Sequence, residues 1–392
     1  MRKSPDLVIA HPMNSYHPGQ GGGVRYLMNV LNYALARHKE VLVLGIDNNV
    51  GAMRNPAWVQ VALIRKGIPV LRKVVPEWVR YLFNLFFALP FIKIPRKAVI
   101  LTHRMDCMLA FVLFKRNNPK VFLSAAPAYY LRLKYPKIHK YFGWLYYWIE
   151  KTCILNVDLI IPTDRKTKQY YDSRYPGAKL GEIMPSPIDF NQFPIPDKRV
   201  IRAKLGWDDL EKVILFVGRL ALVKNIPLLI DAFGIVEREI SPSRLIIVGD
   251  GEEGETLRRH ARNTSDRIYF TGALLPSEIG LYYSAADVTV LCSHEEGSPT
   301  VIKESLAVGT PVISTDVGDA SDVLQNNAIL GRIIPNSVES LGQALFELLS
   351  GSASDTDQIR TARRAAVTKF SLEKTGQELF SKFETIIENR CI

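Results

Sequence analysis

The sequence predicts an α/β protein built from two doubly wound parallel sheets. The chain has 392 residues, which is too long for one ordinary core and suits two domains. Short apolar runs alternate with helical patterns, an order typical of a parallel sheet with helices on both faces. The runs are apolar throughout rather than alternating in polarity, as strands covered on both faces require.

The second half of the chain shows this alternation most clearly. A helical pattern begins at Asn225, and others cover the segments 252–263, 276–286 and 337–350, with one more opening near Pro299. The strands predicted between these helices are 213–217, 244–251, 267–272, 287–292 and 310–315.

The first half alternates in the same way. A helix is expected from about Val24 to Arg37, and the predicted strands are 7–11, 40–46, 98–103, 121–125 and 157–163. The segment 183–197 contains four prolines, which discourage a continuous helix or a central strand. We therefore predict one domain over 1–188 and a second over 189–374.

Charge is distributed unevenly along the chain. Residues 1–190 contain 28 basic and 11 acidic side chains, a balance of +17, whereas residues 191–392 contain 22 and 28, a balance of −6. A basic first domain suggests an anionic partner, such as nucleic acid, a membrane surface or a phosphorylated substrate. The alternative is a solvated basic surface with no specific role. No recognisable nucleic-acid module accompanies the charge, so we expect no nucleic-acid partner.

The longest apolar run, 81–92, is shorter than the roughly 20 residues of a membrane-spanning helix. It is interpreted either as a core helix or as an interfacial helix on a bilayer, with Arg80 and Lys93 near anionic head groups. The first residues contain an apolar run too short for a signal peptide, and we expect a strand there. The four cysteines lack metal-site spacing and favour a reducing compartment.

Candidate ligand-binding residues follow the strands of the second domain. Because ligands of open α/β sheets bind beyond the carboxyl ends of the strands, these residues are expected to share one edge. They are Gly218, Arg219, Lys224, Gly249, Asp250, Gly251, Gly272, Glu296, Gly297 and Ser298.

The stretch 294–312 predicts an anion site at the start of a helix. Ser298 is a good N-cap and Pro299 suits the first helical position, so the amides near Pro299, Thr300 and Val301 lack intrahelical partners. Glu296 precedes this site and Glu304 lies about 7.5 Å further along the helix axis. This spacing fits a ligand with a phosphate between two sugars. The sugar hydroxyls would donate hydrogen bonds to the two carboxylates. Alternatively, Glu304 is an ordinary helix-surface residue.

Two cations lie in the loop after the first strand of this domain. Arg219 and Lys224 can reach phosphates held at the helix start, with charge-assisted contacts of about 1.5–3 kcal/mol each. They favour a phosphate ligand over a pair of exposed loop cations.

These motifs together resemble the nucleotide-sugar half of the family 4 retaining glycosyltransferases, which have the GT-B fold. The motifs are "FVGRLALVKN", "IIVGDGEE", "FTG" and "EEGSPTVIKESLAVGTPVISTDVG", in the order that the family has them. The resemblance implies two Rossmann-like domains facing across a cleft. It also implies that Arg219 and Lys224 bind the donor diphosphate and that Glu304 binds the ribose. Glu296 would contact the donor sugar near the reacting carbon, and the residues from Ala273 to Leu275 would flank the base.

The first domain resembles the family more loosely. The stretch 17–31, which contains Gly22 and Gly23, is similar to the glycine loop that lies near the donor phosphates and the acceptor. Val24 occupies the last glycine position of the dinucleotide fingerprint, which therefore does not apply. The last segment, about 375–392, resembles the terminal helix that returns to the first domain. The resemblance implies that the first domain binds the acceptor and the second the nucleotide sugar.

One departure from the family concerns a histidine at a strand end. Many members carry it where this chain has Ser124, Ala125 and Ala126. His103 ends a neighbouring strand and is a candidate substitute. A histidine with a purely structural role is the alternative.

We therefore expect a retaining glycosyltransferase that uses a UDP- or GDP-sugar and needs no metal or other cofactor. The only DxD-like triplet, 354–356, is interpreted as surface. The expected acceptor is a glycan or a lipid-linked intermediate of the cell envelope, because the basic first domain, the run 81–92 and the aromatic segment 129–151 suit an anionic membrane face. The alternative for the segment 129–151 is core packing of a long helix. The expected location is cytoplasmic, peripheral on the inner face of the membrane. The alternatives are a nucleotide-sugar epimerase and a non-catalytic nucleotide-sugar-binding protein.

Overall fold

The structure is a computed structural model that describes residues 5–11, 22–46, 59–64, 77–124, 136–351 and 356–391. The chain divides into two compact units. The first consists of Met1–Pro185 and Leu372–Ile392, and the second of Ser186–Ser371. The boundary at Pro185 falls inside the proline-rich segment 183–197.

The first unit contains a six-stranded parallel sheet in the order β3-β2-β1-β4-β5-β6. Its strands are β1 (Leu7–Ala10), β2 (Val41–Ile46), β3 (Val59–Ile64), β4 (Val99–Thr102), β5 (Lys120–Ser124) and β6 (Leu159–Pro162). Its helices are α1 (Gly22–Ala36), α2 (Glu77–Ala88), α3 (Met105–Phe114), α4 (Pro136–Ile154), α5 (Arg165–Arg174) and, from the end of the chain, α14 (Leu372–Cys391).

The second unit contains a six-stranded parallel sheet in the order β12-β11-β10-β7-β8-β9. Its strands are β7 (Lys212–Val217), β8 (Ser243–Val248), β9 (Ile268–Gly272), β10 (Val288–Leu291), β11 (Val312–Thr315) and β12 (Gly331–Ile334). Its helices are α6 (Lys198–Leu205), α7 (Ile226–Glu239), α8 (Gly254–Thr264), α9 (Pro276–Ala285), α10 (Thr300–Ala307), α11 (Ala320–Leu324), α12 (Val338–Ser350) and α13 (Asp357–Val367).

Each sheet is buried on both faces, as the continuous apolar runs predict. In the first unit, Val8 and Ile100 pack on one side of the sheet, and Ile9 and Leu101 on the other. All four side chains are fully buried. The prediction of two doubly wound parallel sheets is confirmed, because every pairing within both sheets is parallel.

Two strands were not predicted from the sequence. β3 (Val59–Ile64) lies at one edge of the first sheet, and β12 (Gly331–Ile334) at one edge of the second. The burial of β12 changes along its four residues, whereas the inner strands β10 and β11 are buried throughout. β12 therefore lacks the continuous apolar run that is the signal used for the other strands, whereas β3, with the sequence VQVALI, has such a run at 61–64 and was left out of the prediction.

The apolar run 81–92 combines features of both predicted interpretations. It begins in α2 and ends after a short 3-10 helix, Leu89–Phe91. Tyr81, Leu85 and Leu89 are buried in the core, whereas Phe83 is largely exposed. No helix in the described part of the chain is long and apolar enough to span a bilayer.

The last helix packs within the first unit. Leu379 and Phe383 of α14 join the core that α1 covers, and the rings of Tyr33 and Phe380 lie 5.3 Å apart. A Cβ atom at Gly376 would lie 2.3 Å from the Tyr33 ring. The close approach of α14 to α1 therefore needs the absence of a side chain at this position.

Candidate functional site

The candidate site lies where the strand order of the second sheet reverses. β7 pairs with β8 on one side and with β10 on the other. The loops that leave the carboxyl ends of β7 and β10 consequently run to opposite sides and open a crevice, which is where open α/β sheets bind ligands. Lys224 lies in the first of these loops and Glu296 in the second.

Lys224 and Glu296 form an ion pair across this crevice. Both side chains are about four-fifths buried, and the Ser293 hydroxyl donates a further hydrogen bond to Glu296 at 2.8 Å. The backbone amide of His294 also donates to the Val223 carbonyl at 2.8 Å, which ties the same two loops together. The structure therefore places a cation and a carboxylate, 72 residues apart in the chain, in one site.

The loop after β8 approaches the loop after β7 through backbone contacts. Gly249 has a φ of +138°, and a Cβ atom there would lie 1.8 Å from the Gly218 carbonyl oxygen. Only glycine fits this position. Arg219 is exposed and faces Glu252 of the β8 loop at 3.7 Å. Arg219 is thus on the predicted edge of the sheet, although its charge already has a partner.

The start of α10 differs from the prediction by one residue. The helix begins at Thr300 and its N-cap is Pro299, not Ser298. No side chain caps α10, because proline has no hydrogen-bonding group to offer. Thr300 and Val301 are still the first residues of the helix, as the predicted anion site requires, but Ser298 does not cap it.

Ser298 belongs to a buried polar network that the sequence did not predict. Its hydroxyl donates to Asp319 at 2.9 Å and accepts from the Lys303 ammonium at 2.6 Å and from the Ser186 amide at 2.8 Å. Lys303 and Asp319 pair directly at 2.6 Å, and both are essentially inaccessible to solvent. This network holds the loop before α10 to the turn after β11.

Burial acts on the protonation of both members of this pair. It lowers the pKa of Lys303 and raises the pKa of Asp319, and their mutual attraction opposes both changes. Nothing in the pattern of α10 indicated a buried lysine, since an isolated lysine in a helix is normally exposed. The sequence signal nearest to it is that three of the four helical neighbours of Lys303, namely Pro299, Leu306 and Ala307, are apolar, although the fourth, Thr300, is polar.

Glu304 is also buried, with only 1% of its surface exposed. The Tyr283 hydroxyl donates to its carboxylate at 2.9 Å. The alternative interpretation, an ordinary helix-surface residue, is therefore wrong. A buried carboxylate is retained where hydrogen-bond donors satisfy it. Its assignment to a ribose remains a prediction.

The residues predicted to flank the base lie at the end of β9. Ala273 and Leu275 are exposed, and Leu275 is the N-cap of α9. The Glu278 side chain accepts from the Leu275 amide at 2.8 Å, which defines the helix start. The Gly249 amide donates to the Gly272 carbonyl at 2.9 Å, so the β8 and β9 loops begin side by side.

The sheet of the first unit has its own strand-order reversal, between β1 and β4. His11 follows β1 and His103 follows β4, and their rings stack with centroids 4.4 Å apart. The Nδ1 atoms of both are buried, and neither has a hydrogen-bond partner among the described residues. The structure thus pairs His103 with a second histidine that the sequence did not single out.

The start of α1 lies against this histidine pair. Gly22 and Gly23 open the helix, and a Cβ atom at Gly23 would lie 2.4 Å from the His103 ring. The rest of the predicted glycine loop, 17–21, lies outside the described residues, as do Ala125, Ala126 and most of the triplet 354–356. Ser124 is described and buried, with its hydroxyl 2.8 Å from that of Tyr171.

Comparison with protein families finds a match within the second unit. Residues 197–365 match the model described as "Glycosyl transferases group 1". This segment contains β7 to β12 and every candidate residue of the second unit. The resemblance of the motifs to family 4 glycosyltransferases is therefore confirmed.

Two curated relatives share this part of the chain. Alpha-monoglucosyldiacylglycerol synthase from Streptococcus pneumoniae is 37% identical over 139 residues, covering 34% of this chain and 32% of that protein. D-inositol 3-phosphate glycosyltransferase from Segniliparus rotundus is 29% identical over 220 residues, covering 54% of this chain and 48% of that protein. The chain thus spans about a third to a half of the length of these relatives.

A solved structure extends the likeness to the whole chain. Sucrose-phosphate synthase from Thermosynechococcus elongatus has a TM-score of 0.82 at 19% identity, covering 99% of this chain and 100% of that one. At this identity the likeness concerns the fold. The prediction of the GT-B fold class, with two Rossmann-like domains, is confirmed.

The buried pair of Lys303 and Asp319 gives a stability prediction. Lys303→Met should lower the free energy of unfolding of the second unit by about 3–5 kcal/mol, because it leaves Asp319 buried without a counter-ion. Adding Asp319→Leu should restore much of this loss. Arg332→Met, which breaks an exposed pair with Glu347, should change it by less than about 1 kcal/mol. Urea unfolding followed by circular dichroism measures all three; equal effects of the two single variants would contradict the prediction.

The histidine pair predicts a pH dependence of the first unit. Burial is the main cause that lowers the pKa of His103 from 6.5 to about 4 and that of His11 to about 2. The unfolded chain therefore binds more protons below pH 6.5, and stability falls as the pH drops from 6.5 towards 4. For His103 alone this amounts to about 3 kcal/mol.

Hydrogen exchange of the amides in β1 and β4 across this pH range measures the effect. His103→Gln should reduce the slope of the free energy of unfolding against pH by an amount that corresponds to about one bound proton. His260→Gln, at an exposed histidine of the second unit paired with Asp231, should leave the slope in β1 and β4 unchanged. A slope that His103→Gln leaves intact would show that the imidazole is not neutral in the folded state.

Proposed function

Since residues 197–365 belong to glycosyl transferases group 1, we propose that this protein is a retaining glycosyltransferase that acts on a nucleotide-diphosphate sugar. The observation that carries the proposal is the pairing of Lys224 with Glu296 at the strand-order reversal between β7 and β10. A cation and a carboxylate at one crevice provide for the two chemically different parts of such a donor, its diphosphate and its sugar.

The diphosphate is assigned to the cationic side of the crevice. Lys224 and Arg219 leave from the β7 loop, and the uncapped start of α10 adds the partial positive charge of its first amides. Negative charge develops on the diphosphate as the bond to the sugar breaks. Groups already oriented towards that charge stabilise the transition state without reorganising, and this is usually the largest contribution to catalysis.

The sugar is assigned to Glu296. Its carboxylate is held by Lys224 and by Ser293, so it is oriented before the donor binds. Donor phosphate would draw Lys224 towards itself, which leaves Glu296 to accept hydrogen bonds from sugar hydroxyls. Glu304 would accept from the ribose, and Ala273 to Leu275 would flank the base. We assign no covalent nucleophile, so the sugar passes through an oxocarbenium-like state. An acceptor hydroxyl attacks the anomeric carbon on the face from which the diphosphate departs. The bond from this carbon to the diphosphate oxygen breaks, the bond to the acceptor oxygen forms, and the hydroxyl proton passes to the departing diphosphate.

We further propose that catalysis needs no metal ion. Lys224, Arg219 and the start of α10 supply the positive charge that a divalent cation would otherwise bring to the diphosphate. The acceptor is proposed to be a glycan or a lipid-linked intermediate at an anionic membrane face. The name of the synthase from Streptococcus pneumoniae, which refers to a glucosylated diacylglycerol, supports a lipid acceptor.

The proposal predicts the effect of removing either charged group. Glu296→Gln and Lys224→Met should each lower donor turnover about a hundredfold or more, because each removes a preorganised contact with the reacting donor. Glu347→Gln, which alters an exposed carboxylate paired with Arg332, should leave turnover unchanged. The release of nucleoside diphosphate measures turnover, and circular dichroism checks the fold. Unchanged turnover in a folded Glu296 or Lys224 variant would refute the roles given to them.

A thermal-shift panel of UDP, GDP and ADP with their sugars identifies the donor and separates the alternatives. A ligand at about 100 times its dissociation constant should add about 2.7 kcal/mol of stability. An epimerase would bind a nucleotide sugar without transferring the sugar to an acceptor. A non-catalytic binding protein would show a thermal shift with the ligand but no turnover. Absence of any shift, with or without acceptor, would contradict the proposed function.

A further inference from the structure

The first unit carries exposed aromatic side chains on the outer faces of two helices. In α4, Tyr141, Trp144, Leu145 and Trp148 are spaced three or four residues apart, so they form one stripe. Trp144 is 70% exposed and Trp148 is 53% exposed. Cys153, on the opposite side of the helix, is buried in the core. The stripe is therefore not needed for packing within the unit.

Helix α2 and the 3-10 helix after it have a second stripe. Phe83, Phe87 and Phe91 are 62%, 74% and 85% exposed. Tyr81 and Leu85, on the other side of α2, are buried. Helices α2 and α4 both pack against α3, which is buried along most of its length. The two stripes thus belong to the same layer of helices on one face of the sheet.

The end of α3 contacts α2 and the segment that follows α2. The rings of Phe86 and Phe114 meet edge to face at 5.9 Å, and Phe114 at the end of α3 is itself 43% exposed. The Lys115 ammonium donates to the Ile92 carbonyl at 2.7 Å. The exposed phenylalanines of α2 and α3 are consequently held in place by packing and by a hydrogen bond.

The charges around these aromatic side chains are almost all positive. Within the described segments 80–116 and 140–156, the carboxylates are Asp106, which pairs with Arg104, and Glu150, which is buried beneath two tyrosine hydroxyls. The exposed basic side chains of these segments are Lys93, Arg96, Lys97, Arg116, Lys140 and Lys151. The surface therefore combines exposed aromatic rings with an excess of positive charge.

We infer that this surface, defined by the exposed aromatic side chains of α2 and α4 and the basic residues around them, is the face by which the protein binds an anionic lipid bilayer. Tryptophan and tyrosine favour the boundary between acyl chains and head groups, and phenylalanine adds apolar area that inserts below it. Lysine and arginine contribute about 1 kcal/mol each when they lie near an anionic membrane surface.

The charge pattern decides against a second copy of the chain as the occupant. A twofold-symmetric contact brings the same patch of both copies together, so their basic rims would repel each other. An anionic bilayer can accommodate the aromatic rings at its interface and attract the cations to its head groups. The inference rests on the proposed membrane-face function, for which it names the residues that make contact.

The test is flotation of the full chain with vesicles of phosphatidylcholine alone and of an equimolar mixture with phosphatidylglycerol. The wild-type protein should float with the mixed vesicles and lose this binding at high salt. Trp144→Ser with Trp148→Ser, and separately Phe83→Ser with Phe87→Ser, should each lower the partition coefficient at least about tenfold. The triple change Lys93→Gln, Arg96→Gln and Lys97→Gln should reduce the preference for the mixed vesicles.

A matched control uses two exposed apolar residues of the second unit. Val200→Ser with Leu210→Ser, at positions 51% and 80% exposed, should float like the wild type. Circular dichroism establishes that each variant is folded. The inference is overturned if the wild type binds neither kind of vesicle, or if folded aromatic variants bind as well as the wild type. It is also overturned if the wild type sediments as a dimer that the tryptophan changes dissociate.

The nucleotide-sugar thermal shift, measured without vesicles, keeps this result separate from the proposed function. Wild type and aromatic variants should shift equally, because the changes lie outside the second unit. A normal shift without flotation refutes the bilayer surface alone. Flotation without any shift refutes the proposed donor binding and leaves the surface supported.

Discussion

The candidate site depends on one constraint, the reversal of strand order between β7 and β10. Parallel strands expose all their carboxyl ends at one edge of the sheet, but a crevice opens only where successive connections turn to opposite sides. Lys224 and Glu296 leave the sheet on either side of that point and meet across it. The roles proposed for the two parts of the donor depend on having this cation and this carboxylate in one place.

A buried network keeps the neighbouring loops in position. Lys303, Asp319 and Ser298 form a closed set of charge-assisted hydrogen bonds beneath the start of α10. Such a pair contributes little net stability compared with apolar packing, since both charges lose their hydration. Its geometry is nevertheless specific, because neither group tolerates burial without the other. The start of α10 is thereby held in a defined orientation towards the crevice.

The first unit repeats the same topology with different chemistry. Its strand order reverses between β1 and β4, and the residues that follow these strands are the stacked histidines His11 and His103. Burial keeps both imidazoles neutral, whereas the second unit places charged groups at the equivalent point. The unit with the larger positive charge in the chain thus has an uncharged pair at its own crevice. Arg104, which is paired with Asp106, lies beside these histidines, whereas the exposed cations of α2 to α4 surround aromatic rings.

The fold class could be predicted because local patterns determine it. Continuous apolar runs indicate strands buried on both faces, and their alternation with helices leaves the parallel sheet as the solution. The edge strand β12, with the sequence GRII, escaped prediction because it has no continuous apolar run. The edge strand β3, with the sequence VQVALI, has an apolar run at 61–64 that the prediction left out. The start of α10 was predicted one residue early, since Ser298 has the composition of an N-cap but its hydroxyl is engaged by Lys303 and Asp319.

The sequence by itself determined the class of fold, the order of the motifs and the chemical types of the candidate residues, because these depend on neighbours within a few positions. Only the tertiary structure decided which of them meet. The pairing of Lys224 with Glu296, the burial of Glu304 and the partnership of Lys303 with Asp319 all join residues from different loops and helices. Lysine and glutamate are usually exposed, so local sequence favours the surface. Their burial is stabilised by partners that are brought close only when the sheet has formed.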